Sequence, residues 1–509
     1  MASPAIAMTP GAWLAFLEAK LDAQVEAIAD PDSYYNGEQR LAFATAKFKE
    51  AFARYFPPLA NNWCKLVVDT PAARLQVLGF RFDPDPSTPT WELAADSDAW
   101  DIWQASSMDA TSAIVHTDAI KYGVSYVLVS PPDPTDADAE PRITGEHPSQ
   151  SFVYCDPADR LCRLAAIKRW TDELDGYAYA TIYLPDQIAK WRSTEEAKDG
   201  RELSWQRRQD DPGGPNDIGV VPMIPIENKP DLIYGGRSDL EEAIPIQDAV
   251  NKFCLDMQVS SEFHAYPQRF ATGWERSTDA EGHELSSRQV ELYASQTRLW
   301  RAESADTNFG QLSPGDVNNY IQPISMYIDH LAAVTQTPAY YLKGQMANLS
   351  ADALHAADAG LVDRCWRKIN NGFSDGWEEV MRTAFLAKGD QQRGQNSRAE
   401  TIWKDPERRS LSQLVDAAVK MRQVLSVPLE MTWEMLGWSP EQIRQARDMM
   451  NLPAAPGVPR VLPASDPGAL VYDPNAPGGL GRLTPARVAA GAPEILGPDG
   501  KPIAPPAAA

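Results

Sequence analysis

The chain has 509 residues, 43% of them apolar, and carries 70 acidic against 47 basic side chains for a formal net charge of −23. That content can bury a large core and divide into several domains or subdomains. The acidic balance opposes tight binding of a polyanion through a general basic surface. No run approaches the roughly 18 apolar residues a bilayer crossing needs, and the first residues lack the basic region of a secretory leader. The expectation is a protein without a membrane anchor, placed in the cytoplasm of whichever cell makes it.

The five cysteines, Cys64, Cys155, Cys162, Cys254 and Cys365, are odd in number and scattered, without a C-x-x-C pair, so free buried thiols are expected. The six histidines are equally dispersed. There is no H-E-x-x-H and no glycine-rich phosphate loop of either common type, so neither a metal nor any other cofactor is expected. Asn348-Leu349-Ser350 fits a glycosylation sequon and is read as a helix start. Fifteen tryptophans, abundant carboxylates and a β-meander leave open an acidic carbohydrate-active hydrolase. No pair of acids is singled out as catalytic, and no enzymatic activity is expected.

In chain order, Thr9 reads as the N-cap of a helix with Pro10 at its first position and Leu14, Leu17, Leu21, Val25 and Ile28 on one face. A second helix, to residue 56, is expected beyond a joint at residues 30–37. Residues 61–75 read as a helix with a strand after it, 91–121 as helical, and 123–130 as a buried strand. After an acidic loop at 131–141, the run 163–208 alternates strand-like segments with Asp175-Gly176 and Asp199-Gly200 turns, an antiparallel meander. Residues 212–225, rich in Pro and Gly, read as a linker.

Ser238 to Glu241 forms a capping box, with Pro245 opening the main helix that carries Ile246, Val250, Phe253 and Met257 to about His264. Short strands and turns follow at 268–315. Residues 316–336 are again helical, with Ile324 and Ile328 on the apolar side beside Tyr320, Tyr327 and Leu331. The two apolar stripes have no obvious partner sheet within the chain, so their burial is expected to depend on neighbouring copies. A loop at 337–349 holds Lys343, its single basic residue, with Gly344, Gln345 and Asn348. It leads into a helix over 350–388 whose apolar stripe runs Leu354, Leu361, Cys365, Ile369, Phe373, Trp377, Val380, Ala384. As one α-helix it is roughly 58 Å long. Ser410 and Ser439 open capping boxes for the helices of a C-terminal bundle ending near Met450. From Pro453 the composition turns to Pro, Ala and Gly, and a disordered tail is expected.

Tyr34-Tyr35-Asn36-Gly37, the run at 67–82 (VVDTPAARLQVLGFRF), the stretch at 238–270 (SDLEEAIPIQDAVNKFCLDMQVSSEFHAYPQRF) and the TPAYYL loop together resemble the portal, or head-to-tail connector, proteins of tailed double-stranded-DNA bacteriophages. The likeness runs over about residues 10–450, through the order and wording of several segments and not through one motif. It implies an α+β portal architecture: a mixed wing at 1–235 continued by a long wing helix at 350–403, stem helices at 236–267 and 316–336, a β-containing clip at 268–315, a tunnel loop at 337–349 and a helical crown at 404–452, with the tail at 453–509 outside the family pattern.

The resemblance further implies a dodecameric ring at one capsid vertex of the virion, through whose channel DNA is packaged and ejected. Implied partners are double-stranded DNA passing without sequence specificity, a packaging terminase that supplies the ATPase, the major capsid protein and head-tail adaptors. Lys343, Gln345 and Asn348 then face the channel, and Ile246, Val250, Phe253, Met257, Ile324 and Ile328 make stem contacts between subunits. A different virion shell subunit remains the neighbouring alternative.

Overall fold

The computed structural model describes residues 8–39, 61–82, 95–136, 139–197, 203–233, 235–265, 269–272, 308–311, 318–344, 351–407, 411–427, 429–438, 440–451, 470–473 and 482–485. They mix helix and sheet, and the chain divides into two compact units, Met1–Glu441 and Gln442–Ala509.

Helix α1 (Pro10–Asn36) starts as expected, its Thr9 hydroxyl accepting from Ala12 N at 3.3 Å. It does not stop at Asp30. Pro31 lies inside it, buried with Ile28 and Tyr34 on the stripe that continues the apolar face, and the chain leaves only at Gly37, in the left-handed conformation that suits glycine. The second expected helix lies outside the described residues. Helix α2 (Trp63–Ala72) and strand β1 (Val77–Arg81) follow. Residues 97–122 are two helices, α3 (Ser97–Ala105) and α4 (Met108–Tyr122), parted at Ser107, which has φ 53°.

Strand β2 (Val124–Ser130) is the centre of a three-stranded antiparallel sheet, between β3 (Arg142–Glu146) and a later strand described below. The meander forms a six-stranded sheet: β4 (Ser151–Cys155), β5 (Arg163–Thr171), β6 (Tyr177–Tyr183), β7 (Gln187–Glu196), β8 (Trp205–Arg207), and β9 (Gly213–Pro215), which pairs with β7. Its Asp175-Gly176 turn is present, with Gly176 at φ 73°. The Asp199-Gly200 turn lies outside the described residues. One face of this sheet, through Ala165, Ile167, Ala180, Ile182 and Ala189, packs on Trp13, Leu14, Leu17 and Leu21 of α1. The expected linker at 212–225 is in part β10 (Met223–Glu227), the third strand of the β2 sheet, with Pro225 opposite Tyr126. The prolines are tolerated because β10 is an edge strand, where a missing N–H costs no ladder bond.

Helix α5 (Ile244–Ala265) begins after turns at 239–243, and the capping box bonds are made ahead of it: Ser238 Oγ accepts from Leu240 N at 3.0 Å and Glu241 Oε1 from Ser238 N at 3.3 Å. Of the segment at 268–315, strands β11 (Arg269–Thr272) and β12 (Asn308–Gln311) are described, paired antiparallel. Then come α6 (Asn318–Thr335) and a short α7 (Ala339–Lys343) inside the span expected to be all loop.

The long rod is α8 (Ala351–Lys368), a π-helical turn (Ile369–Phe373) and α9 (Ser374–Lys388). The π turn has a sequence cause. Leu361, Cys365, Ile369, Phe373 and Trp377 are spaced by four, and sixteen residues of regular α-helix would rotate such a stripe by about 160°. The wider turn takes up the lag, and all five stay buried. Gly372 lies in that turn because a Cβ there would strike the Glu227 carbonyl oxygen at the end of β10. Within this main core Trp377 Nε1 donates to His116 Nε2 at 2.8 Å, His116 stacks on Phe373, and Trp103 packs edge-on to Trp377. Helix α10 (Gln391–Gly394) and β13 (Glu400–Trp403), paired with β1, close the layer.

Helices α11 (Leu411–Leu425), α12 (Leu429–Met435) and α13 (Pro440–Asn451) follow; the capping residues Ser410 and Ser439 lie outside the described residues. In the Pro/Ala-rich end, Leu470–Asp473 pairs antiparallel with Arg482–Pro485 where featureless chain was expected.

Candidate functional site

Helices α5 and α6 pack on each other, with the rings of Phe253 and Tyr327 5.7 Å apart at 33°. Val250 and Ile328 are buried within the single chain, and Ile246 and Ile324 are half-buried against the main core. Phe253 and Met257 are half-buried. The expectation that burial of these stripes depends on the ring is therefore corrected for Val250 and Ile328: each helix is the other's partner. The aliphatics left exposed on α6 are instead Ile321, Met326 and Val334, at 52, 47 and 48% exposure. Periodicity alone did not separate the two faces.

A polar set at the base of α5 was also missed. Gln247 and Asn251, one turn apart, are buried; Gln247 Oε1 accepts from Trp63 N at 3.1 Å and Asn251 Oδ1 from Asn61 N at 3.2 Å. Tyr34 Oη donates to Asp248 at 2.6 Å, and burial first, then this bond, push the phenol well above its ordinary range. The helix is thus fixed to α1 and α2 by hydrogen bonds that a buried amide requires. The sequence signal was two amides one turn apart, interleaved with the buried Val250 and Cys254.

Lys343 ends α7, and its amine bonds Asp329 of α6 at 2.6 Å. Gly344 follows at φ 62°, its N–H bonding Tyr340 O, which makes the bend the sequence implied. Trp63 Nε1 donates to Leu342 O at 3.0 Å, so this end of the loop is fixed on α2. Gln345 and Asn348 lie outside the described residues.

The strongest electrostatic feature was not singled out in the sequence. Asp239, just before α5, is completely buried, and its Oδ2 accepts from Arg364 and from Lys368 (2.6 Å), one turn apart on α8, while Lys229 stands 3.2 Å from Oδ1. Arg364 also donates to Thr335 O at 2.6 Å and Thr337 Oγ1 at 3.2 Å, at the end of α6. Burial would raise the Asp239 carboxyl, but the Arg364, Lys368 and Lys229 charges overcome it and hold it well below the usual range. Burial pulls the Lys368 amine down to about 8 despite Asp239. Arg364 therefore joins the rod both to Asp239, ahead of α5, and to the end of α6.

Among the described residues no cluster of three or more His, Cys, Asp or Glu is placed to hold a metal ion, and no helix is long and apolar enough to cross a membrane. The model of the SPP1 Gp6-like phage portal protein family matches residues 14–449. The portal protein of Mycobacterium phage D29 is 30% identical over 368 residues, covering 70% of this chain and 71% of its own. That of Mycobacterium phage L5 is 28% identical over 406 residues, covering 77 and 78%. Solved structures that resemble the fold include the neck of a native GTA particle computed with C12 symmetry (11% identity, 73% of this chain and 88% of that one, TM-score 0.37) and the neck of an empty GTA particle computed with C6 symmetry (11%, 73% and 88%, 0.40).

The chain belongs to the phage portal protein family of the SPP1 Gp6-like type. It is a structural component of the virion and not an enzyme. The hydrolase and shell-subunit alternatives fall with that membership.

Proposed function

We propose that twelve copies form a closed ring at one capsid vertex whose axial channel passes DNA during packaging and ejection. The observation that carries this is the family match along residues 14–449, across every element from α1 into α13. In this reading residues 1–235 and 350–403 are the wing, 236–267 and 316–336 the stem, 268–315 the clip where the packaging terminase docks, 337–349 the tunnel loop and 404–452 the crown. The major capsid protein and head-tail adaptors surround the ring.

Two physical features support it. An acidic surface repeated around a channel keeps a polyanion from settling, and weak, salt-screened contacts let it slide. The pair α5–α6 is internally packed yet leaves Ile321, Met326 and Val334 exposed, and solvent-facing aliphatics on a rigid helix suit a neighbouring copy. Asp at Val250 or Ile328 would damage the subunit itself, so the stem contact is tested at Ile321→Asp with Val334→Asp. The double variant is expected to yield folded subunits that no longer form rings; rings of unchanged stability would remove these two positions from the contact.

A further inference from the structure

A cavity of about 450 Å³ opens where the end of α6, the turn after β10 and the junction of α8 with the π turn meet. Its wall carries Lys229, Arg364, Arg367 and Lys368 against two carboxylates, Asp239 and Glu242. The charge is unbalanced in depth as well as in count. Arg364 and Lys368 are 4 and 5% exposed, and both bond the same oxygen of Asp239, so one buried negative charge faces two buried positive ones. Arg364 Nε is buried without a hydrogen-bond partner among the described residues. A buried cation without its own counter-charge is costly.

The mouth is built in an unusual way. Of the four non-glycine residues described with positive φ, two, Lys229 (φ 46°) and Gln336 (φ 52°), line this cavity, and the π turn brings Asn371 to its edge. Backbone at positive φ costs energy and persists where the surrounding structure fixes it. Arg367 is exposed there, donates to Gln336 Oε1, and makes no ion pair among the described residues; Lys229 reaches Glu242 only at 3.6 Å.

We propose that this cavity binds an oxyanion of the phosphate class, a free phosphate or one phosphodiester of a nucleic acid. Arg367 and Lys229 supply the charge at the mouth, the Asn371 and Gln336 amides donate beside them, and the ligand offsets the excess positive charge on Arg364 and Lys368. The site stands on this geometry and does not depend on the ring.

The test is calorimetric titration of the intact protein with inorganic phosphate at ionic strength fixed with chloride. Saturable binding is expected, weakened at least tenfold in Arg367→Gln, an exposed position whose exchange leaves the thermal midpoint in chloride unchanged, and weakened likewise in Lys229→Gln. Absence of saturable binding, or equal affinity in wild type and both variants, overturns the proposal. A short DNA duplex added to the phosphate-loaded protein identifies the source: displacement of phosphate assigns the site to a nucleic-acid backbone, and no displacement assigns it to the free anion.

Discussion

Lys343 at the end of α7 bonds Asp329 of α6 across 2.6 Å, so the one basic residue expected to face the channel is held by a carboxylate of the neighbouring helix. Asp329 is about half exposed, and such a pair is worth at most about 1 kcal/mol. Lys343→Glu is therefore expected to leave folding and ring assembly intact while lowering the length of DNA packaged in particles, with Lys343→Arg nearly silent. Asp329→Asn separates the two roles of the amine. Normal filling is expected if the charge meets DNA, whereas a defect matching Lys343→Glu would show that the pair merely positions the loop.

The rod carries a glycine where a side chain would meet strand backbone. Gly372→Ala would drive a Cβ into the Glu227 carbonyl, which is strand backbone and cannot yield cheaply. A loss of about 3 kcal/mol is expected, at the upper end for overpacking. Gly376→Ala meets the tip of the Ile226 side chain and is expected to cost less. Denaturant midpoints of the two variants check the order, and equal costs would contradict it.

Asp239→Asn leaves Arg364 and Lys368 buried without a carboxylate, at an expected cost of about 3–5 kcal/mol. Equilibrium unfolding measures it. A cost below 1 kcal/mol would mean the cluster is not the joint between rod and stem pair.

His116 gives the fold a defined acid sensitivity. Burial pushes its imidazole down to about 3 from an ordinary 6.5. Between those values the unfolded chain takes up a proton that the folded chain refuses, so stability falls as pH drops from 6.5 toward 3, by on the order of 4 kcal/mol over the window. Burial raises Glu378 to about 7 and Asp118 to about 6, and these act in the opposite sense as pH falls from 7. The histidine is isolated by His116→Gln, whose amide oxygen can still accept from Trp377. The stability gap between wild type and variant is expected to shrink steadily as pH falls from 6.5, and a gap constant with pH would contradict the assignment.

The helices α5 and α6 and the meander were legible because their apolar residues keep the periods 3.6 and 2, and the rod because its apolar residues recur once a turn over a long run. Thr9 and Gly37 marked the ends of α1, yet Pro31 read as a stop because sequence alone does not show that Pro31 and Tyr34 continue the buried face. Pro222 and Pro225 hid β10, whose edge position is a tertiary fact. The spacing of four from Leu361 to Trp377 held the π turn in plain view. The Asp239 cluster was not legible: Arg364 and Lys368 sit one turn apart like any solvated pair, and their partner lies more than 100 positions away. Val250 and Ile328 were correctly placed on apolar faces, but which copy covers such a face is decided by packing.

Native mass measurement of the purified full chain, paired with negative-stain imaging, tests the central claim most directly. The account predicts closed rings of twelve subunits with an axial hole. A protein that stays monomeric at assembly concentrations, or that builds open filaments or closed shells, would contradict it.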